Sequence, residues 1–148
     1  MSTVYRRREE ELGGVRKRLQ MTIEQSVAAT VEVAIERWFP AEFAADRPHV
    51  VDAIRQRLLS NDPRGYAEAY RVFVYADNEI GGALQSVTCP ALVITGVDDV
   101  GSTPVIARRM AADFVDARLA ILNGLRHTVP LEDPSRVNAV LLDFILQR

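Results

Sequence analysis

Cys89-Pro90-Ala91-Leu92-Val93-Ile94-Thr95-Gly96-Val97-Asp98-Asp99 is the stretch whose reading decides the fold. Its centre, Ala91 to Thr95, is a short apolar, β-branched run between Pro90 and Gly96, the pattern of a strand buried on both faces. Downstream, Thr103-Pro104 caps a helix carrying Val105, Ile106, Met110 and Phe114, and Ala117 to Leu122 forms a second apolar run closed by Asn123-Gly124. Strand, helix and strand in that order predict a parallel pair, because a crossover of that length returns the chain in the same direction. Asp133-Pro134 opens a last helix whose Val137, Val140, Leu141, Phe144 and Ile145 follow the spacing of a core-facing side.

Upstream of Cys89 the texture is helical. Val15, Leu19, Ile23, Val27, Val31, Ile35 and Trp38 recur at spacings of four or three, giving one apolar stripe that Gly13-Gly14 is expected to divide and Pro40 to end. Pro48 suits the first position of another helix bearing Val51, Ile54 and Leu58, and Asn61-Asp62-Pro63 supplies a cap for a third with Tyr66, Tyr70, Phe73 and Val74 on its apolar side. Gly81-Gly82 is expected to loosen the chain beyond that helix. Arg6-Arg7-Arg8 precedes Glu9-Glu10-Glu11, and helical spacing pairs Arg6 with Glu10 and Arg7 with Glu11, as on a solvated helix face.

Parallel strands carry their working residues on the loops leaving their C-terminal ends. Two such loops exist, Gly96 to Gly101 and Asn123 to His127. A carboxylate on the first and an imidazole on the second are expected to meet at hydrogen-bond distance, the acid fixing the tautomer of the base. Asp98 and Asp99 compete for the acid's place, and loop spacing favours Asp99.

The series from Cys89 to Asp99, then Thr103-Pro104, Gly124 to His127 and Leu131-Glu132-Asp133-Pro134, resembles the end of the α/β-hydrolase fold. The resemblance implies that Asp99, the last residue of a Gly-x-x-Asp loop, is the triad acid and that His127, ahead of the final helix, is the triad base; the order acid then histidine also agrees. Glu36-Arg37-Trp38-Phe39-Pro40 and Gly65-Tyr66-Ala67 look like the helical cap of the branch that contains 3-oxoadipate enol-lactonases. That likeness implies a place for Trp38 in the lining of a substrate pocket; as an aromatic on an apolar stripe, Trp38 also reads as packing between cap helices.

Departures from the family pattern are equally informative. The 148 residues contain no Gly-x-Ser-x-Gly elbow and no oxyanion loop. Ser102, in Gly101-Ser102-Thr103-Pro104, reads as part of a helix N-terminus rather than a nucleophile. Arg126 stands before the histidine where small residues are common, and Val100 follows the acid where proline is common. The nucleophile's identity stays open, since relatives with an aspartate there act on carbon–halogen bonds or epoxides.

The expected architecture is therefore α/β and partial: a helical cap region over residues 1–86, then the C-terminal strand-helix-strand-helix of a hydrolase sheet over residues 87–148. Its expected activity is hydrolysis of an ester, lactone or related small carbonyl compound, with Asp99 and His127 supplied here and the nucleophile elsewhere. Two strands leave an uncovered edge and faces, so a missing N-terminal half or a second copy of the chain is the expected partner. A non-catalytic scaffold built on the same fold is the rival.

Composition narrows the rest. A formal net charge of −2 and a pI near 5.7 offer no long-range positive field for nucleic acid or an anionic membrane. One cysteine, Cys89, precludes an intramolecular disulfide, so a cytoplasmic location is the default expectation. No apolar run approaches the roughly 20 residues of a membrane span, and no signal-peptide core is read at the start. His49, His127 and Cys89 lack metal-ligand spacing, and no glycine-rich loop follows a strand, so neither metal nor cofactor is expected.

Overall fold

The computed structural model describes residues 3–77 and 82–147. Among the described residues, the helices α1 (Glu9–Gln25), α2 (Ala28–Trp38), α3 (Ala41–Asp46), α4 (Pro48–Leu59) and α5 (Pro63–Tyr75) come first. A single 3₁₀ turn (Ala83–Ser86) leads to β1 (Ala91–Gly96), α6 (Pro104–Asp113), β2 (Ala117–Leu122), α7 (Val129–Glu132) and α8 (Pro134–Leu146). The strands pair in parallel, with Ala91 opposite Ala117 and Gly96 opposite Leu122.

Capping chemistry places several starts where the sequence puts them. The Asp62 carboxylate accepts the Gly65 N–H at 2.7 Å, Thr103 Oγ1 accepts the Ile106 N–H at 3.3 Å, and Asp133 accepts the Arg136 N–H at 3.0 Å. Each is followed by a proline in the first turn, where a missing N–H costs nothing. Phe39 is extended, as expected of a residue ahead of proline, and stops α2. Phe114 likewise turns extended and lies just beyond α6.

The long N-terminal stripe does not divide at the glycines. α1 runs through Gly13-Gly14, and the break falls at Ser26, whose φ of 98° no helix can accommodate. Two glycines cost about 1 kcal/mol each in a helix interior. That is less than burial of Val15 and Leu19, which follow them in the same helix, returns. The short α3 after Pro40 has no counterpart in the sequence pattern either.

The arginine run is not a solvated helix face. Helix α1 starts only at Glu9, with Arg8 as its cap, so Arg6 and Arg7 have no helical partners. Arg6 bonds Asp113 of α6 at 2.8 Å, and the side chain of Arg7 is buried against Asp77 at 2.6 Å. Tyr5, 1% exposed, donates its hydroxyl to Asp113, while Arg109 of α6 donates to the carbonyls of Tyr5 and Arg6. Long-range acids, rather than the adjacent glutamates, won this competition because they lie where the extended strap crosses α5 and α6.

Three small cores result. Val27, Val31, Ile35, Phe39 and Val51 join α2 to α4, with Trp38, Leu58 and Tyr66 packed on them. Val15, Leu19 and Val74 join α1 to α5. Ile94, Leu122, Leu125, Val129 and Val137 hold the sheet to α7 and α8, with Val140 packed on them. The apolar side of α8 is wider than two strands can cover: Leu141 and Ile145, expected in the core, are 39% and 59% exposed. Among the described residues no helix is long and apolar enough to cross a membrane.

Candidate active site

The site forms where the two strands end. Gly96 terminates β1 against the loop after β2: a Cβ at position 96 would sit 2.1 Å from the Leu125 carbonyl oxygen and 2.3 Å from that of Arg126. The first glycine of Gly-x-x-Asp is therefore required by a close backbone approach. The approach is fastened by the Asp98 N–H, which donates to the Leu125 carbonyl at 3.0 Å. Gly96→Ala is expected to cost more than about 3 kcal/mol, because backbone rather than a movable side chain occupies the space. Chemical denaturation of the variant tests this, and a loss below about 1 kcal/mol would show that the loops part easily.

Beyond Gly96 the chain exposes Asp98 and buries Asp99. The Asp99 side chain is 1% exposed and that of His127 27%. His127 Nδ1 lies 2.8 Å from Asp99 Oδ2, while Asp99 Oδ1 accepts the N–H groups of Gly101 at 2.7 Å and Ser102 at 2.9 Å. Burial alone would raise the Asp99 carboxyl. The His127 hydrogen bond, the Ser102 and Gly101 N–H groups and the charge of a protonated imidazole together outweigh it and hold Asp99 below its ordinary range. The structure thus separates the two candidate acids and brings Asp99 to His127.

Ser102 is buried, but its contacts belong to the acid loop. Its N–H serves Asp99, and its carbonyl accepts the Thr95 hydroxyl at 2.7 Å. Its hydroxyl makes no hydrogen bond to His127.

Trp38 meets the histidine as well as the core between α2 and α4. The indole and imidazole rings stack with centroids 5.5 Å apart and planes 20° from parallel. Beneath them the end of α2 is bonded to the histidine loop. Arg126 donates to the carbonyls of Glu36 (2.7 Å) and Phe39 (3.0 Å), His127 N–H donates to the Trp38 carbonyl (3.2 Å), and the Thr128 hydroxyl donates to the same carbonyl (3.4 Å). The last carbonyls of a helix lack partners within it. Here the histidine loop supplies them. Trp38 therefore packs on the α2–α4 core and also lines the cavity beside the imidazole.

Two residues that sequence reasoning does not assign to the site hold this loop. Arg126, in sequence only a departure from the family pattern, is the clamp to α2. Glu132 accepts the Arg126 N–H at 2.7 Å and the Thr128 hydroxyl at 3.2 Å, so its carboxylate grips the residues on both sides of His127. Burial pushes the Glu132 carboxyl up, more than these hydrogen bonds bring it down. The only sequence signal for Glu132 is its place in Leu131-Glu132-Asp133-Pro134.

A cavity of about 680 Å³ opens in front of the pair. Asp99, Ser102, His127 and Trp38 line one side, and residues of α1 and α5, including Val15, Arg18, Tyr66, Tyr70 and Phe73, line the other. Its size suits a small ligand.

Comparison with known proteins agrees with this architecture. No family model matches the chain. It is 30% identical over 115 residues to the (E)-2-((N-methylformamido)methylene)succinate hydrolase of Acinetobacter baylyi, covering 75% of this chain and 41% of that protein. It is 28% identical over 121 residues to 3-oxoadipate enol-lactonase 2 of the same organism, covering 82% and 44%. The crystal structure of the enol-lactonase from Burkholderia xenovorans superposes with a TM-score of 0.79 at 26% identity, over 88% of this chain and 49% of that one. The chain belongs to the α/β-hydrolase superfamily. Within the superfamily it resembles the enol-lactonase-like branch, and it spans less than half the length of the curated relatives it matches. The fold is shared more widely: a thermophilic esterase from Thermogutta terrifontis superposes with a TM-score of 0.78 at 22% identity. The partial α/β-hydrolase fold expected from the sequence is the one observed.

Proposed function

We propose that this α/β-hydrolase chain supplies the acid and the base of a hydrolytic triad, with residues 1–86 as cap region and residues 87–148 as the C-terminal part of the catalytic core. Its substrate is an ester, lactone or related small carbonyl compound. The observation that carries the reading is the 2.8 Å contact between the buried Asp99 carboxylate and His127 Nδ1 at the mouth of the cavity. A proton held on Nδ1 by Asp99 leaves Nε2 as the acceptor, and Nε2 has no hydrogen-bond partner among the described residues. His127 would take the nucleophile's proton on Nε2 and pass it to the leaving group; it would then take a proton from the water that attacks the acyl enzyme and return it to the nucleophile as the acid product leaves. Asp99 stabilises the imidazolium at each stage without itself accepting the proton. The relatives named as an (E)-2-((N-methylformamido)methylene)succinate hydrolase and a 3-oxoadipate enol-lactonase support the substrate class.

The nucleophile belongs to a polypeptide segment outside these 148 residues, carrying a Gly-x-Ser-x-Gly turn or its aspartate equivalent. That segment, or a second copy merging two short sheets, would also cover the flank of α8, where Leu142 and Leu146 are 56% and 76% exposed. The chain alone is expected to hydrolyse p-nitrophenyl acetate no faster than buffer. Combined with the elbow-bearing segment it is expected to turn over, and His127→Ala to abolish the gain. Rapid hydrolysis by the chain alone, lost in His127→Ala, would mean that a nucleophile lies within it. A combined sample that stays inactive although the two pieces bind would favour a non-catalytic scaffold.

A further inference from the structure

The end of α2 and the base are held to one another through backbone, ring and cation at once. Of the last four carbonyls of α2, that of Ile35 is closed by the Phe39 N–H, and those of Glu36 and Trp38 are closed by the histidine loop. Arg126 makes the longest reach: Nη1 bridges the carbonyls of Glu36 and Phe39, 90 and 87 positions back in the chain. A guanidinium is also the charge that the negative end of a helix favours. Arg126 makes no ion pair among the described residues, so these carbonyls are the partners of its charge.

What the clamp holds is the imidazole. The backbone around it is tied on each side: the Leu125 carbonyl to the Asp98 N–H, the Arg126 N–H to Glu132, and the His127 N–H to the Trp38 carbonyl. The ring is hydrogen-bonded to Asp99 and stacked on Trp38. Trp38 is the last residue of α2, so the helix that Arg126 grips is the one the imidazole leans on. A second arginine gives an internal comparison. Arg136 of α8 donates to the Asn123 carbonyl at 3.0 Å, at the other end of the same loop, and that bond stays within the C-terminal part of the chain.

We infer that Arg126 is a positioning residue that makes the base depend on α2: with Nη1 on the Glu36 and Phe39 carbonyls, the end of the helix holds His127 Nδ1 in reach of Asp99. Its catalytic meaning rests on the hydrolytic reading. A proton stays on Nδ1 only while the carboxylate stands opposite it, because the tautomer of a neutral imidazole follows its hydrogen bonds. Without the cation the loop keeps its bond to Glu132 but is free to slide along α2, and the 2.8 Å contact opens. The base and the helical region therefore act as one unit: when α2 lifts from the loop, Nε2 is no longer kept free to accept a proton. A small residue before the histidine, common in the family, has no atoms to make this link.

The tautomer can be read without turnover. The chain has two histidines, and His49, exposed in the first turn of α4, supplies the spectrum of an unheld imidazole. Nitrogen-15 spectra are recorded on the labelled full chain in mildly alkaline buffer. Wild type is expected to show His127 with its proton on Nδ1 and His49 as a mixture of tautomers. Arg126→Ala is expected to raise the share of the Nε2–H form of His127 about tenfold, the equilibrium weight of one charge-assisted hydrogen bond. Arg126→Lys is expected to raise it less than about threefold, because an ammonium with three donors can bridge the same two carbonyls. Arg136→Ala is expected to leave it unchanged. Circular dichroism checks folding, and Arg126→Gln, which is too short for both carbonyls, stands in should the alanine variant unfold. A merely structural role would lower the urea midpoint and leave the tautomer of the folded chain as it was. That outcome, or an equal change in Arg136→Ala, would overturn the inference and leave the hydrolytic reading, whose own test is turnover and the role of His127. A wild type already divided between tautomers would instead sink the Asp99–His127 pair and both readings with it.

Discussion

Asp99→Asn is expected to lower kcat of the assembled hydrolase about 10⁴-fold while changing KM little. An asparagine still accepts the Gly101 and Ser102 N–H groups through Oδ1, so the loop keeps its shape. Its amide, however, donates toward His127 Nδ1 and drives the proton to Nε2, the nitrogen that in the proposed function accepts it from the nucleophile. The variant separates geometry from proton placement. Nitrogen-15 spectra of the isolated chain can read the tautomer directly, and kinetics of the combined pieces read the consequence. A loss of less than tenfold would mean that Asp99 does not orient the base. The same substitution should blunt acid denaturation. Because folding depresses the Asp99 carboxyl, its stabilising contribution is present above its ordinary value of 3.8 and is lost as pH falls through the lower folded value. Wild type should therefore lose stability below about pH 4 more steeply than Asp99→Asn.

Asp77→Ala is expected to destabilise the fold by about 3–5 kcal/mol, the cost of leaving one partner of a buried pair uncompensated. The side chains of Arg7 and Asp77 are 1% and 7% exposed, and Asp77 also accepts the Arg7 backbone N–H at 3.0 Å. Arg7 further donates to the Phe73 carbonyl and lies over the Phe73 ring, 4.7 Å from its centroid. Its Nη1 is a buried donor without a partner among the described residues, so the site has little slack for a second loss. Replacing both residues, Arg7→Met with Asp77→Leu, should cost far less than the single change, since two desolvation penalties vanish with the attraction they offset. Urea titrations of the two variants decide the matter. A single variant within about 1 kcal/mol of wild type would mean that water reaches the pair.

The pair also shows how the N-terminal strap contributes to the cavity. Arg7 pins the strap to α5, and Tyr5 and Arg6 pin it to α6 through Asp113. α1 comes directly after and presents Arg18 to the cavity wall. Contacts that look purely structural thus set one wall of the cavity in front of the Asp99–His127 pair.

Local chemistry accounts for what could be read in advance. A β-branched run between Pro90 and Gly96, a crossover helix capped by Thr103 and a second run ending at Asn123-Gly124 allow little but a parallel pair with two loops at one end. The helix starts at Pro48, Pro63, Pro104 and Pro134 were equally legible, because caps and prolines act within four residues. Partners distant in sequence were not legible. Nothing near Arg7 announces Asp77, and nothing near Arg126 announces the carbonyls of Glu36 and Phe39. Nor does any local signal make Ser26, rather than Gly13-Gly14, the place where the first stripe breaks.

By itself, then, the sequence determined the strand-helix-strand-helix order and put an acid and a histidine on adjacent loops, because strand, cap and turn preferences are local. Only the tertiary structure decided that Asp99 rather than Asp98 meets the histidine, and that the end of α2 clamps the histidine loop. Burial and long-range hydrogen bonding make those choices, and both depend on which surfaces the folded chain brings together.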